Sequence, residues 1–229
     1  MSTIAVAAPR SSAGLVRWAM LSGVAYVVLF VVGVILLFGN EPDTGSAPGK
    51  LIAYYSKSGN RDRINIGWVL VGLAVFCFLW FLSALRRTIR LLEGEDGLLT
   101  GLVTIGGVIY AALMLASIGV TVGIRTMSDD TYHHTVYPGL IHAADDVGWM
   151  LHAGGGAGLG AMIIAASLAA LRAAAVPKWA GWLGIVAGIL SLALIVFFPW
   201  FVAGIWILVV SIGMFVRAGR APYASPAVD

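Results

Sequence analysis

Stretches without a charged residue recur along the chain at Trp18–Phe38, Ile64–Leu85, Leu98–Ile124, Ala153–Leu171, Trp179–Phe198 and Trp200–Val216. Each meets or approaches the about 20 apolar residues that a helix needs to cross the hydrocarbon of a bilayer. The pattern predicts an all-α fold: an integral membrane bundle of six transmembrane helices at 18–38, 64–85, 98–124, 153–171, 179–198 and 200–216. The last two are parted only by Pro199 in "FFPWF", read as a tight hairpin with rings suited to the membrane interface. If that pair does not split, the count is five. One transmembrane domain thus occupies 18–217, with an N-terminal tail at 1–17 and a C-terminal tail at 218–229. The first run follows Arg17 as a signal peptide would, but it is too long for a cleaved apolar region and is expected to be retained.

The polar connections add detail. In "NEPDTGSAPGKLIAYYSKSGNRDR", Lys50–Ser58 is expected to form a short surface helix with Leu51, Ile52, Tyr54 and Tyr55 towards lipid. In "RRTIRLLEGEDG", Arg86, Arg87 and Arg90 suit a helix C-terminus among headgroups, and Gly94 and Gly97 break the helix. Glu93, Glu95 and Asp96 then read as a solvated turn. The segment 138–152 is expected to prolong the fourth span outwards, with Pro138 in its first turn.

Charge orients the bundle. With the N-terminus inside, nine basic residues fall on inner segments (Arg10, Arg17, Arg86, Arg87, Arg90, Arg172, Lys178, Arg217, Arg220). Five fall on outer ones (Lys50, Lys57, Arg61, Arg63, Arg125). Nine against five places both termini in the cytoplasm. The composition agrees: 60% hydrophobic and 11% charged, where a soluble domain is about 25% charged. The net charge of +3 comes from basic residues at span ends, so headgroup anchoring explains it and nucleic acid is not an expected partner. The expected partners are the lipid bilayer and, through glycine faces, a homo-oligomer or another membrane protein.

Those faces come from 29 glycines. Gly154 with Gly158, and Gly184 with Gly188, have the four-residue spacing that lets helix backbones approach in lipid, where packing replaces the hydrophobic effect. Packing of the fourth and fifth helices within one bundle is the simplest reading.

Several chemistries are excluded. Cys77 is the only cysteine, so no internal disulfide or CxxC pair exists. No Walker sequence is present, no lysine lies in an apolar run, and Ser117, Ser167, Ser191 and Ser211 sit in plain helix contexts. The one polar concentration is "HHTVYPGLIHAADDVGWMLH", residues 133–152, which holds all four histidines. On a helix, His142, Asp145, Asp146, Trp149 and His152 share an arc of roughly 120°. His142 and His152 are about 15 Å apart along the axis, too far to share one ion or one haem. A divalent metal on His142, Asp145 and Asp146, with His133 or His134 folding back, is one reading. A pH-responsive switch is another. Counting out from Arg172 puts the face at the outer rim, where a solvated amphipathic cap is the plainest account. No resident cofactor is expected beyond that metal option.

The segments "NRDRINIGWVLVGLAVFCFLWFLSALRRTIRLLEGEDG", "DDVGWML", "VPKWAGWLGIVAGIL" and "FFPWFVAGIWILVVSIGMFVR" resemble those of uncharacterised bacterial multi-pass integral membrane proteins grouped by a domain of unknown function. The resemblance covers roughly residues 50–220 and implies a helical protein of a bacterial cytoplasmic membrane. It transfers no activity, cofactor or catalytic residue. The expected function is that of a non-enzymatic accessory or sensing component with its ligand face outside. A small-solute or ion transporter comes second and a metal-dependent membrane enzyme third.

Overall fold

A computed structural model describes residues 12–43, 45–94, 97–126, 135–196 and 199–220. The apolar runs become helices: α1 (Ser12–Phe38), α3 (Ser58–Glu93), α4 (Leu98–Thr126), α5 (Pro138–Arg172), α6 (Lys178–Ser191) and α7 (Pro199–Arg220), with α2 (Pro48–Tyr55) in the first loop. Five of these seven (α1, α3, α4, α5 and α7) are long and apolar enough to cross a membrane, which makes this a multi-pass membrane protein. The count expected from sequence was six. The difference is α6, whose 14 residues extend only about 21 Å. After Ser191 the chain leaves the α-helix, and a 3₁₀ turn at Leu194–Val196 carries Leu194 into the core before α7 begins.

Elsewhere the helices outrun the apolar stretches. α3 has 36 residues: Arg86–Glu93, rich in arginine and leucine, prolongs it at the C-terminal end, while polar Ser58–Arg63 opens it with the Asn60 and Arg61 side chains bonded to the end of α2. Gly94 ends it with φ 79°, a left-handed conformation that glycine adopts without strain. α5 runs unbroken for 35 residues, so the glycine tract does not interrupt it and 138–152 is continuous with the apolar stretch. In the turn after α3, expected to be solvated, Glu93 also serves as a cap. Glu93 accepts from the Leu99 and Thr100 amides at 2.6 and 2.8 Å and from the Thr100 hydroxyl at 2.7 Å, which satisfies the first donors of α4. Glu95 and Asp96 lie outside the described residues.

α1 packs along α3 and α7, while α4 packs along α3 and α5, and α6 lies on α5. The closest approaches are at glycines. A Cβ on Gly158 would stand 2.6 Å from the Gly106 carbonyl oxygen of α4. One on Gly188 would stand 3.0 Å from the Gly160 carbonyl of α5, and one on Gly184 would collide with Ser167. Gly154 meets only a Leu113 methyl at 3.6 Å, an ordinary contact. The α5 glycines therefore serve two seams, Gly158 towards α4 and Gly156 with Gly160 towards α6.

α7 returns antiparallel to α1: Arg17 lies 4.5 Å over the Phe215 ring, and Ser211 donates to the Met20 carbonyl. Both described ends of the chain thus sit at one end of the bundle. Mid-height, Tyr26, Phe78, Phe81 and Tyr110 form a closed aromatic layer, with the Tyr26 and Tyr110 hydroxyls 2.5 Å apart. Large apolar side chains such as Ile35, Val69, Ile105, Leu183 and Val209 are exposed around the circumference, as lipid-facing positions require.

Candidate functional site: an ion-capped cleft between α1 and α5

At the bundle end remote from both described chain ends, three segments converge on Arg125, the penultimate residue of α4. The sequence places it directly after a long apolar run, so helix geometry carries its guanidinium to the outer edge of the core. Its Nε and Nη2 each lie 2.7 Å from Glu41 Oε1, just beyond α1, and Nη2 is also 2.7 Å from Asp145 Oδ1 on α5. Nη1 donates to the Thr121 carbonyl at 3.2 Å. Nε also lies 3.0 Å from the Tyr55 hydroxyl, which in turn donates to Glu41. Arg125 is only 3% exposed, so a fully charged guanidinium is held inside by this set of oxygens.

α2 delivers Tyr55. Leu51 and Tyr55, expected to face lipid, are instead buried against the protein, while Ile52 remains exposed. The correction has a polar cause. Arg61 Nη1 and Asn60 Nδ2, in the first turn of α3, donate to the Tyr55 and Tyr54 carbonyls at 2.9 and 2.8 Å. Those bonds hold the α2 C-terminus down and turn Tyr55 towards Arg125. Burial pushes the Glu41 carboxyl above its usual range, with the Arg125 guanidinium pulling the other way.

Below this ionic ceiling is a cavity of about 410 Å³ between α1 and the α4–α5 pair. Its walls are Phe30 and Val34 of α1, Met114 and Ile118 of α4, and Gly148 and His152 of α5, with Trp200 of α7 as the floor. It persists because α1 does not pack along α5 and the α6–α7 hairpin stops short of the outer end. The exposed lining residues Phe38, Asp146 and Trp149 mark the mouth, on the side between α1 and α5. Ser117 and Thr121 also line it, but their hydroxyls are engaged with the Gly148 and Ser117 carbonyls at 2.6 and 2.7 Å.

The histidine-rich segment divides on this geometry. Asp145 faces Arg125, and Asp146 stands exposed at the mouth. His152 is 9% exposed on the cavity wall, stacked on Trp149 at 5.6 Å, and its Nε2 has no hydrogen-bond partner among the described residues. His142 is half-buried outside the cavity lining. The solvated-cap reading therefore fails for His152, which is buried on the cavity wall, and holds only in part for Asp145, which is half-buried and paired with Arg125. His133 and His134 lie outside the described residues. Among the described residues no three His, Cys, Asp or Glu side chains come together as metal ligands, and Asp145 is already committed to a guanidinium. Sequence reading missed Arg125, Glu41 and Tyr55. The one available signal was that Asp145 has no Lys or Arg three or four residues away on its own helix, so a guanidinium or ammonium partner has to come from elsewhere.

Comparison of the chain with protein-family models, curated proteins and solved structures finds no match to any of them.

Proposed function

We propose that this is a non-enzymatic accessory or sensing component of a bacterial cytoplasmic membrane that takes a small amphipathic molecule into its outward-facing cleft. The carrying observation is the cleft itself: apolar walls on α1 and α4 beneath the Glu41–Arg125–Asp145 ceiling, open at the side where Phe38 and Trp149 stand. Pockets of this size with mostly apolar walls and few polar groups are the usual form of small-ligand sites. The charge asymmetry of the loops supports an orientation with both termini cytoplasmic and the cleft at the outer leaflet. In that arrangement the chain passes the membrane six times, α6 with its turn forming the short pass.

The test is saturable binding of a neutral solvatochromic amphiphile such as Nile red to the protein in nanodiscs. Val34→Trp, which fills the cleft from a half-buried position, should abolish the saturable component. Equal binding to both proteins would overturn the proposal. Orientation is checked by labelling a cysteine placed at Lys57, in a Cys77→Ala background, with an impermeant maleimide on intact cells.

A carrier is the second reading, favoured by a second cavity of about 420 Å³ at the opposite end, lined by Met20, Leu85, Ala166, Trp206 and Arg217. The buried Tyr26, Phe78, Phe81 and Tyr110 side chains lie between the levels of the two cavities, so transport through the bundle would require them to move. Flux into proteoliposomes, measured with the ligand that the binding assay identifies, separates carrier from sensor.

A further inference from the structure

We infer that the ligand of the cleft is an amphiphilic amine: a cationic nitrogen head at the mouth, an apolar body along the wall, and a hydrogen-bonding group at the far end. This rests on the proposed binding role and specifies its chemistry.

The head follows from charge. The lining carries three carboxyl groups, Glu41, Asp145 and Asp146, against the single guanidinium of Arg125. Arg125 cannot serve an anionic ligand, because it is buried and its nitrogens are directed at Glu41, Asp145, Tyr55 and the Thr121 carbonyl. Asp146, by contrast, is exposed at the mouth with no ion-pair partner among the described residues. Trp149 stands beside it on the same rim. An exposed carboxylate at such a mouth suits an ammonium through a charge-assisted hydrogen bond.

The far end follows from His152. A buried imidazole nitrogen without a partner is costly, and this one lies on the wall of a cavity large enough to bring it one. A neutral imidazole offers one donor and one acceptor nitrogen, so a hydroxyl or amide on the ligand satisfies Nε2 in either tautomer. Asp146 and His152 are six residues apart on one straight helix, so head and terminal group should be separated by about 9 Å. Between them the wall is Met114, Ile118, Val34 and Phe30, which accepts methylenes.

The experiment uses the full-length protein in nanodiscs of neutral lipid, with empty nanodiscs as blank, and measures displacement of the bound fluorescent amphiphile. Four single-chain competitors are compared: an alkylamine, the alcohol and the alkyl sulfate of equal length, and an ω-hydroxy alkylamine. The amine should displace the probe at least tenfold more tightly than the alcohol, and the sulfate should be weakest. Asp146→Asn, at an exposed position, should reduce the amine's affinity about tenfold and leave the alcohol's unchanged. The ω-hydroxy amine should gain about tenfold over the plain amine, a gain lost in His152→Phe. Should His152→Phe not fold, His152→Gln, which restores a polar atom, should keep part of the gain. If amine and alcohol bind alike, or Asp146→Asn weakens both equally, the amine inference is wrong while the amphiphile site stands. If no amphiphile binds saturably, the proposed function falls with it.

Discussion

Replacing Arg125 by methionine removes the cation that contacts both Glu41 and Asp145. The guanidinium is 3% exposed, and the Glu41 and Asp145 side chains are 12% and 18% exposed. Removing one partner of a buried ion pair generally costs about 3–5 kcal/mol, because the charge left behind has neither partner nor water. The two carboxylates retain some solvent, so about 3 kcal/mol is expected. Glu41→Gln is a much smaller perturbation, since Arg125 keeps Asp145 at 2.7 Å and the repulsion between the acids disappears. About 1 kcal/mol is expected there. The combined variant Arg125→Met/Glu41→Gln/Asp145→Asn removes every charge of the set and should recover most of the loss. The assay is equilibrium unfolding in mixed micelles at neutral pH, followed by tryptophan fluorescence. Two of the eight tryptophans, Trp149 and Trp200, line the cleft below the site. If Arg125→Met costs no more than Glu41→Gln, or the triple variant is worse than Arg125→Met, the ion set is not the buried clamp described above.

Glu41 also predicts a pH dependence. Its folded-state pKa is raised, so its contribution is fully present below the unfolded carboxylate value and is lost as pH rises through the folded value. The stability deficit of Glu41→Gln against wild type should therefore shrink from about pH 4 to neutrality, and a deficit that grows over that range would reverse the sign. Gly158→Ala should cost about 1–3 kcal/mol, because its Cβ would meet the Gly106 carbonyl oxygen at 2.6 Å. Gly154→Ala should be neutral or stabilising by up to ~1 kcal/mol, both read as thermal midpoints in mild detergent. Ala174 has φ 48° just beyond α5, where glycine is the unstrained choice. Ala174→Gly should raise stability by about 0.5–1 kcal/mol, and a lower midpoint would show that the backbone there is not strained.

The apolar runs announced the helices because in lipid a long charge-free segment has no alternative to satisfying its own backbone. Their ends were less legible. Ser58–Arg63 and Arg86–Glu93 extend α3 in polar and charged sequence that a hydropathy pattern cannot assign. Trp179–Phe198 is apolar throughout, so nothing in it marks the point near Ser191 where the chain turns Leu194 onto Gly156. The face of His142, Asp145, Asp146, Trp149 and His152 was visible from helical spacing, and part of it does line the cleft. Its role was not visible, because that depends on Arg125, Glu41 and Tyr55. Each of these reads locally as a membrane anchor, a turn acid or an interfacial ring. Only tertiary structure brings together residues that far apart in sequence.

Two polar contacts bridge α1 and α4 across the cleft, the Tyr26–Tyr110 hydroxyl pair below and Glu41–Arg125 above, and each joins residues 84 positions apart. During synthesis α1 and α3 can pair as soon as both have entered the bilayer, but neither bridge can close until α4 has left the ribosome. At about 5–20 residues per second that delay is roughly 4–17 s, and Asp145 follows later still. For that interval Glu41 waits at the bilayer surface for its cation, and the order of insertion rather than the final fold determines how long the unfinished cleft stands open to lipid.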